Sequence, residues 1–181
     1  LDTFKKYVFL STNYDKYKTS NNPTENALIS FTKEYINNNY QKLKEISFSS
    51  DRKIMSNLYK MSNDNYMFVK GGIDVVLNKC DFFETISKQV LSELKKQEIM
   101  NLVNNYADKG RRVIGFAYKK INKDNITIND EIGLTFIGFV TIIDPPREET
   151  INAVKNCYNA GIKPVMLTGE YKNTAVAIAK E

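Results

Sequence analysis

Tyr66-Met67-Phe68-Val69-Lys70-Gly71-Gly72-Ile73-Asp74 is the stretch that decides how this chain is read. An apolar run rich in aromatic and β-branched residues predicts a strand. It ends on a lysine, followed at once by two glycines. Glycine lets the backbone turn where other residues would clash, and it leaves room for a ligand to approach. A cation at a strand end, beside an open turn, suits an anion such as a phosphate. On these nine residues alone the plainer reading is favoured: a strand with a solvated Lys and an ordinary turn. The neighbours have to change that balance.

Working back from it, Ser62-Asn63-Asp64-Asn65 is a turn. Ile46, Phe48, Ile54 and Met55 predict two short strands joined by a polar turn, and Asn57 to Lys60 continues the second. With the opening strand they make a β-meander. Phe48 reads as core on composition alone. Beside Lys53 it also reads as a ring offered to a purine, a contact worth roughly 1–3 kcal/mol per base in nucleic-acid sites. Earlier still, Asn21-Asn22-Pro23-Thr24-Glu25 predicts a helix start, with Pro in the first turn, a hydroxyl to cap and an acid to complement the dipole. Ala27, Leu28, Phe31, Tyr35 and Ile36 follow at helical spacing. Glu25 is then either a common helix-start acid or an acceptor at a pocket rim. Within residues 1–20, Tyr7-Val8-Phe9-Leu10 is the only apolar run.

Working forward, a short helix is expected at about 73–79 and a longer amphipathic one from about Ser87 to Asp108, carrying Val90, Leu91, Leu94, Met100, Val103 and Tyr106. Gly110 suits the position after a helix. Arg111 to Tyr118 reads as a strand, and 119–131 as a polar loop. Gly133 to Ile143 is a long apolar strand region broken by Gly138. At Asp144-Pro145-Pro146-Arg147 the texture changes, because tandem prolines stop a strand and stiffen the chain as a hinge does. Beyond it come a helix bearing Ile151, Val154 and Tyr158 that ends near Gly161, a short buried strand Ile162-Lys163-Pro164-Val165-Met166-Leu167, a turn at Thr168-Gly169-Glu170, and a helix from Thr174 to Lys180. That alternation is parallel α/β texture. No internal repeat or low-complexity linker is present.

The 181 residues suffice for one good core or two small ones, and 42% hydrophobic with 26% charged residues fits a soluble globular chain. The net charge of +5 suits a small anionic ligand, and no Lys/Arg block is dense enough to argue for nucleic acid. With no histidine and two widely spaced cysteines, Cys80 and Cys157, the sequence argues against a zinc site and excludes His acid/base catalysis. Two isolated thiols suit a reducing compartment better than a structural disulfide. No run approaches a transmembrane helix, and the start, Leu1-Asp2-Thr3-Phe4-Lys5-Lys6, has neither Met nor the apolar region of a signal peptide. The chain reads as a processed or excised piece of something longer.

Taken in order, the motifs resemble a known family. Pro23-Thr24-Glu25-Asn26-Ala27-Leu28, Phe48-Ser49-Ser50-Asp51-Arg52-Lys53, Lys70-Gly71-Gly72-Ile73-Asp74, Arg112-Val113-Ile114, Asp144-Pro145-Pro146-Arg147 and Thr168-Gly169-Glu170 carry the resemblance, continued by Lys172 to Glu181. No single one is decisive; six in the same order are specific. The chain resembles the nucleotide-binding domain of P-type cation-transporting ATPases, of the calcium-pump branch and bacterial in texture, running into part of the phosphorylation domain.

The resemblance implies an α/β (α+β) fold: an antiparallel twisted sheet flanked by helices over residues 1–143. A hinge and a partial Rossmann-like segment of haloacid-dehalogenase type would follow over 144–181. It implies an ATP site in which Phe48 stacks on adenine, Glu25 lies near the adenine amino group, Lys53, Lys70 and Gly71 line the pocket with Lys70 at its base, and Arg112 reaches the phosphates. Asp144 and Arg147 would lie at the hinge, and Thr168, Gly169 and Glu170 would help receive the γ-phosphate. Magnesium would arrive with the nucleotide, and no metal site of the chain's own is implied.

The family's phosphorylated aspartate is not in this sequence, so no catalytic residue is assigned and no phosphoenzyme is expected from this chain alone. The implied partners are ATP and the remaining pump domains: the actuator, the rest of the phosphorylation domain and the transmembrane helices. The implied location is the cytoplasmic side of an integral membrane protein. Three positions depart from the family pattern: Asn22 for Asp, Ser50 for Arg and Glu170 for Asp. The competing readings are a pump for sodium or protons, a stand-alone nucleotide-binding regulatory module, and a haloacid-dehalogenase-type phosphatase. The phosphatase needs an aspartate nucleophile after its first strand, and the amino-terminal part offers no such context.

Overall fold

The structure, a computed structural model, describes residues 2–15, 21–36, 38, 40–143, 148–167, 176 and 179. The opening stretch becomes strand β3 (Asp64–Gly72), which runs straight into helix α3 (Ile73–Asn78). β3 pairs on one side with β2 (Ile54–Met61), itself paired with β1 (Gln41–Ile46). On its other side lies β6 (Arg112–Ile121), then β7 (Leu134–Ile142), β4 (Cys80–Glu84) and β5 (Lys88–Val90), in the sheet order β1-β2-β3-β6-β7-β4-β5. The meander expected from the sequence is present, but its first strand lies earlier than expected and ends at Ile46, so Phe48 falls in the loop after it. The sheet is not wholly antiparallel, because β4 runs parallel to β7.

Alternation along β3 divides the core between the two faces. Met67 and Val69 join Ile54, Leu58, Val76, Leu77 and Val103 beneath α3 and helix α4 (Glu93–Ala107). Phe68 faces the other way and packs with Phe9, Leu10 and Tyr59 beneath helix α1 (Asp2–Leu10). Leu28 of helix α2 (Pro23–Phe31) joins Val8, Ile114 and Phe116 on that same face. Asn57 of β2 donates from Nδ2 to the carbonyls of Leu10 and Thr12, at 3.0 and 2.7 Å, and so fastens the end of α1 to the sheet. Gly138, at φ 141°, sits at the bulge where the β6–β7 register shifts, and a side chain there would meet the ring of Phe4.

Several expectations are corrected. α4 starts at Glu93 rather than Ser87, because the Ser92 hydroxyl caps it by accepting from the Lys95 amide. Residues 88–90 pair with β4 instead. The helix from Pro23 ends at Phe31, and Lys33–Tyr35 forms a 3₁₀ turn. The polar loop 119–131 is shorter than expected, since β6 runs to Ile121. Residues 162–167 form no strand and are not buried, with Leu167 93% exposed. A strand has no internal hydrogen bonds and needs a neighbour, and none pairs with this segment among the described residues. Helix α5 (Glu148–Asn159) does form. The expected hinge at 144–147, the expected turn at 168–170 and most of the expected last helix lie outside the described residues.

Candidate functional site

The register sets the site. β3 ends at Gly72 opposite Ile114 of β6; β6 begins at Arg112 opposite Ile142, where β7 ends; β2 begins at Ile54 opposite Gly71. β1 also ends here, opposite Ser56. One end of the sheet therefore gathers Lys70, Gly71 and Arg112, together with the loop 47–53 that carries Phe48 and Lys53.

α2 lays its first turn over this end. Its cap is Asn22 rather than a hydroxyl, the Asn22 Oδ1 accepting from the amides of Thr24 (2.9 Å) and Glu25 (3.4 Å). An Asn side chain caps a helix about as well as an Asp or Ser. Glu25 is 5% exposed, and so is Lys70. Glu25 Oε1 and Lys70 Nζ form a close ion pair, while Glu25 Oε2 accepts from the Asn13 amide at 3.1 Å. Glu25 is thus not a solvated helix-start acid, and Lys70 is not a solvated strand end. Burial pushes the Lys70 ammonium below the ordinary lysine range. The Glu25 carboxylate opposes that shift by its charge and its hydrogen bond, Glu45 adds to the opposition, and Lys42 works against it.

Next to the pair, Arg112 is exposed and donates from Nη1 to the Thr24 hydroxyl at 2.8 Å. Phe48 is 60% exposed, so its core reading is overturned. Gly71 has a structural reason. A Cβ there would lie 2.2 Å from the Lys53 carbonyl oxygen and 2.7 Å from Ile54 Cα. The room that glycine leaves is taken by β2 and not by open space. Lys53 itself turns the loop with φ 56°, its amide donating to the Ser49 carbonyl (2.8 Å) and its carbonyl accepting from the Gly72 amide (3.0 Å). Glu25, Phe48, Lys53, Lys70, Gly71 and Arg112 therefore share one end of the sheet. Asp144, Arg147, Thr168, Gly169 and Glu170 lie outside the described residues.

Sequence reasoning missed Thr24 as the partner of Arg112, and it missed Glu131. Nothing local marks either. Among the described residues no group of three His, Cys, Asp or Glu stands close enough to hold a metal ion.

A buried acid–base pair, an exposed aromatic ring and two further cations thus stand together at one sheet end. The chain belongs to the family of the P-type ATPase cytoplasmic domain N, whose match covers residues 6–149. It is 37% identical over 176 residues to Calcium-transporting ATPase 1 of Bacillus cereus, covering 93% of this chain and 20% of that protein. It is 39% identical over 171 residues to Calcium-transporting ATPase 1 of Lactococcus lactis, covering 88% of this chain and 19% of that protein. Against the Cation-transporting ATPase pma1 of Synechocystis the identity is 34% over 175 residues, covering 92% and 19%. The chain thus spans about a fifth of the length of these relatives.

Proposed function

We propose that residues 1–143 bind ATP at the sheet end that holds Phe48, Lys70 and Arg112. In this reading residues 144–181 are the hinge and the start of a phosphorylation domain, and the whole protein is an ATP-driven cation pump of the membrane with this part on the cytoplasmic side. The observation that carries the reading is the convergence of Phe48, Lys53, the Glu25–Lys70 pair and Arg112 from four separate parts of the chain.

The chemistry suits ATP. Adenine offers a donor and an acceptor on one edge, and Glu25 beside Lys70 offers the complementary acceptor and donor. The Phe48 ring supplies a stacking face. Arg112, free to leave the Thr24 hydroxyl, and Lys53 supply charge for phosphates. Magnesium enters with the phosphates, as it does where few protein carboxylates are at hand. Phosphoryl transfer rests mostly on positioning and charge neutralisation, so this part needs no base of its own. The acceptor aspartate is outside this chain. Calcium is the ion suggested by the names of the Bacillus and Lactococcus relatives; another cation is the alternative, supported by the Synechocystis name.

The test is an ATP titration followed by amide NMR shifts on wild type, Phe48→Ala and Lys70→Ala. Saturable shifts near Phe48, Lys70 and Arg112 are expected, with affinity reduced roughly tenfold or more in Phe48→Ala, the scale of one lost stack. Absence of shifts at millimolar ATP in the wild type overturns the reading.

A further inference from the structure

Glu131 follows the 3₁₀ turn Ile128–Asp130 and precedes β7, and at 1% exposure it is more deeply buried than Glu25. A buried carboxylate is costly unless its charge is met. Here Oε1 accepts from Arg52 Nη1 at 2.6 Å and from the Ser56 hydroxyl at 2.7 Å. Both partners flank the start of β2. The second amino group of Arg52, Nη2, donates to the Ser47 carbonyl, which belongs to the peptide joining Ser47 to Phe48. The guanidinium is a rigid planar fork, so fixing one prong fixes the other. The loop is closed further by the Arg52 amide on the Ser49 hydroxyl (3.4 Å) and the Lys53 amide on the Ser49 carbonyl (2.8 Å).

Alternation puts Ser56 on the same sheet face as Ile54 and Leu58, which α3 and α4 cover, whereas Lys70 lies with Phe68 on the face covered by α1 and α2. The two ion pairs therefore brace the same end of the sheet from opposite faces. Glu25–Lys70 sits within the site, and Glu131–Arg52 stands behind its exposed ring.

We infer that Glu131 is a positioning residue for Phe48: through Arg52 it holds the peptide in front of the ring and so fixes the aromatic face that a base would use. This rests on the ATP reading for its consequence, though not for its geometry. A ring on a free loop must be ordered when ligand binds, and that entropy is lost from affinity; a tethered ring has been ordered already.

The experiment uses the 181-residue chain with Arg52→Met, Arg52→Lys and Glu131→Gln. Amide hydrogen exchange is measured without ligand, and ATP and inorganic tripolyphosphate are then titrated separately. In Arg52→Met the amides of residues 48–53 are expected to exchange roughly tenfold faster, while those of β3 and β6 are unchanged, the scale of one lost charge-assisted bond. ATP affinity falls by a similar factor and tripolyphosphate affinity stays level, because the loss falls on the base. Arg52→Lys keeps the charge but lacks the rigid planar fork that spans the Glu131 carboxylate and the Ser47 carbonyl, so it does not restore loop protection. Glu131→Gln keeps the shape and loosens the loop to a lesser degree. Unchanged exchange at 48–53 in folded Arg52→Met overturns the inference, and so does an equal loss for tripolyphosphate. If wild type binds no ATP, the functional reading falls, while the exchange measurement still decides the tether.

Discussion

The sheet body and the segment 148–167 carry similar apolar patterns and meet different fates. In the body, Phe68, Met67 and Val69 are fully enclosed. In the segment, α5 forms with Ile151, Val154 and Tyr158 exposed, and the run Ile162–Leu167 forms no strand. A helix satisfies its backbone hydrogen bonds within itself, so α5 needs no second segment to complete its ladder. A strand satisfies them only across to another strand. The backbone of the helix is thus satisfied locally, whereas that of a strand is satisfied only together with its partner.

The largest effects should separate the two regions by their enclosure. Phe68→Ala removes a ring that packs against Tyr7, Tyr59 and Tyr66, and urea denaturation should show a loss of about 3–5 kcal/mol. Glu25→Ala leaves the Lys70 ammonium buried and unpaired, at a cost of similar order, about 3–5 kcal/mol. Adding Lys70→Met to it should recover a good part of that loss; no recovery would mean that α2, and not the charge, was damaged.

A smaller effect is expected from pH. The Lys70 group is held below its ordinary value of 10.5 by burial. Between the lowered value and 10.5 the unfolded chain holds a proton that the folded one has released. Stability contributed by this group therefore rises with pH across that window, with a slope of at most about 1.4 kcal/mol per pH unit. The difference between wild type and Lys70→Met, followed by denaturation from neutral to alkaline pH, should show that rise. A flat difference would place Lys70 in a more solvated setting. Smallest of all, Val165→Ser should change stability by less than about 0.5 kcal/mol, since the side chain is exposed. A loss above 1 kcal/mol would show that residues 162–167 are enclosed after all.

What was legible in the sequence follows the same division. The β-meander, the start of α2 at Pro23 and the turn from Lys70 into α3 are written locally, in alternation, turn residues and helix-start chemistry. β5 was not legible, because three residues on a sheet edge give too short a pattern to compete with the helical spacing that continues into α4. The ion pairs were not legible from residue spacing either. Lys70 meets Glu25, and Arg52 meets Glu131 at a separation of 79 positions, only because the sheet order brings their elements together. The resemblance named Glu25, Phe48 and Lys70 as neighbours, but it said nothing of Glu131, whose surroundings in sequence are an ordinary polar loop.

Arg112 has a further consequence through its place in the sheet. It stands opposite Ile142, the last residue of β7, and the polypeptide beyond Ile143 leaves from that rung. Whatever pulls the arginine away from Thr24 acts at the start of β6, on the strand next to the one from which the chain continues. Arg112 and the end of β7 thus share one rung of the sheet.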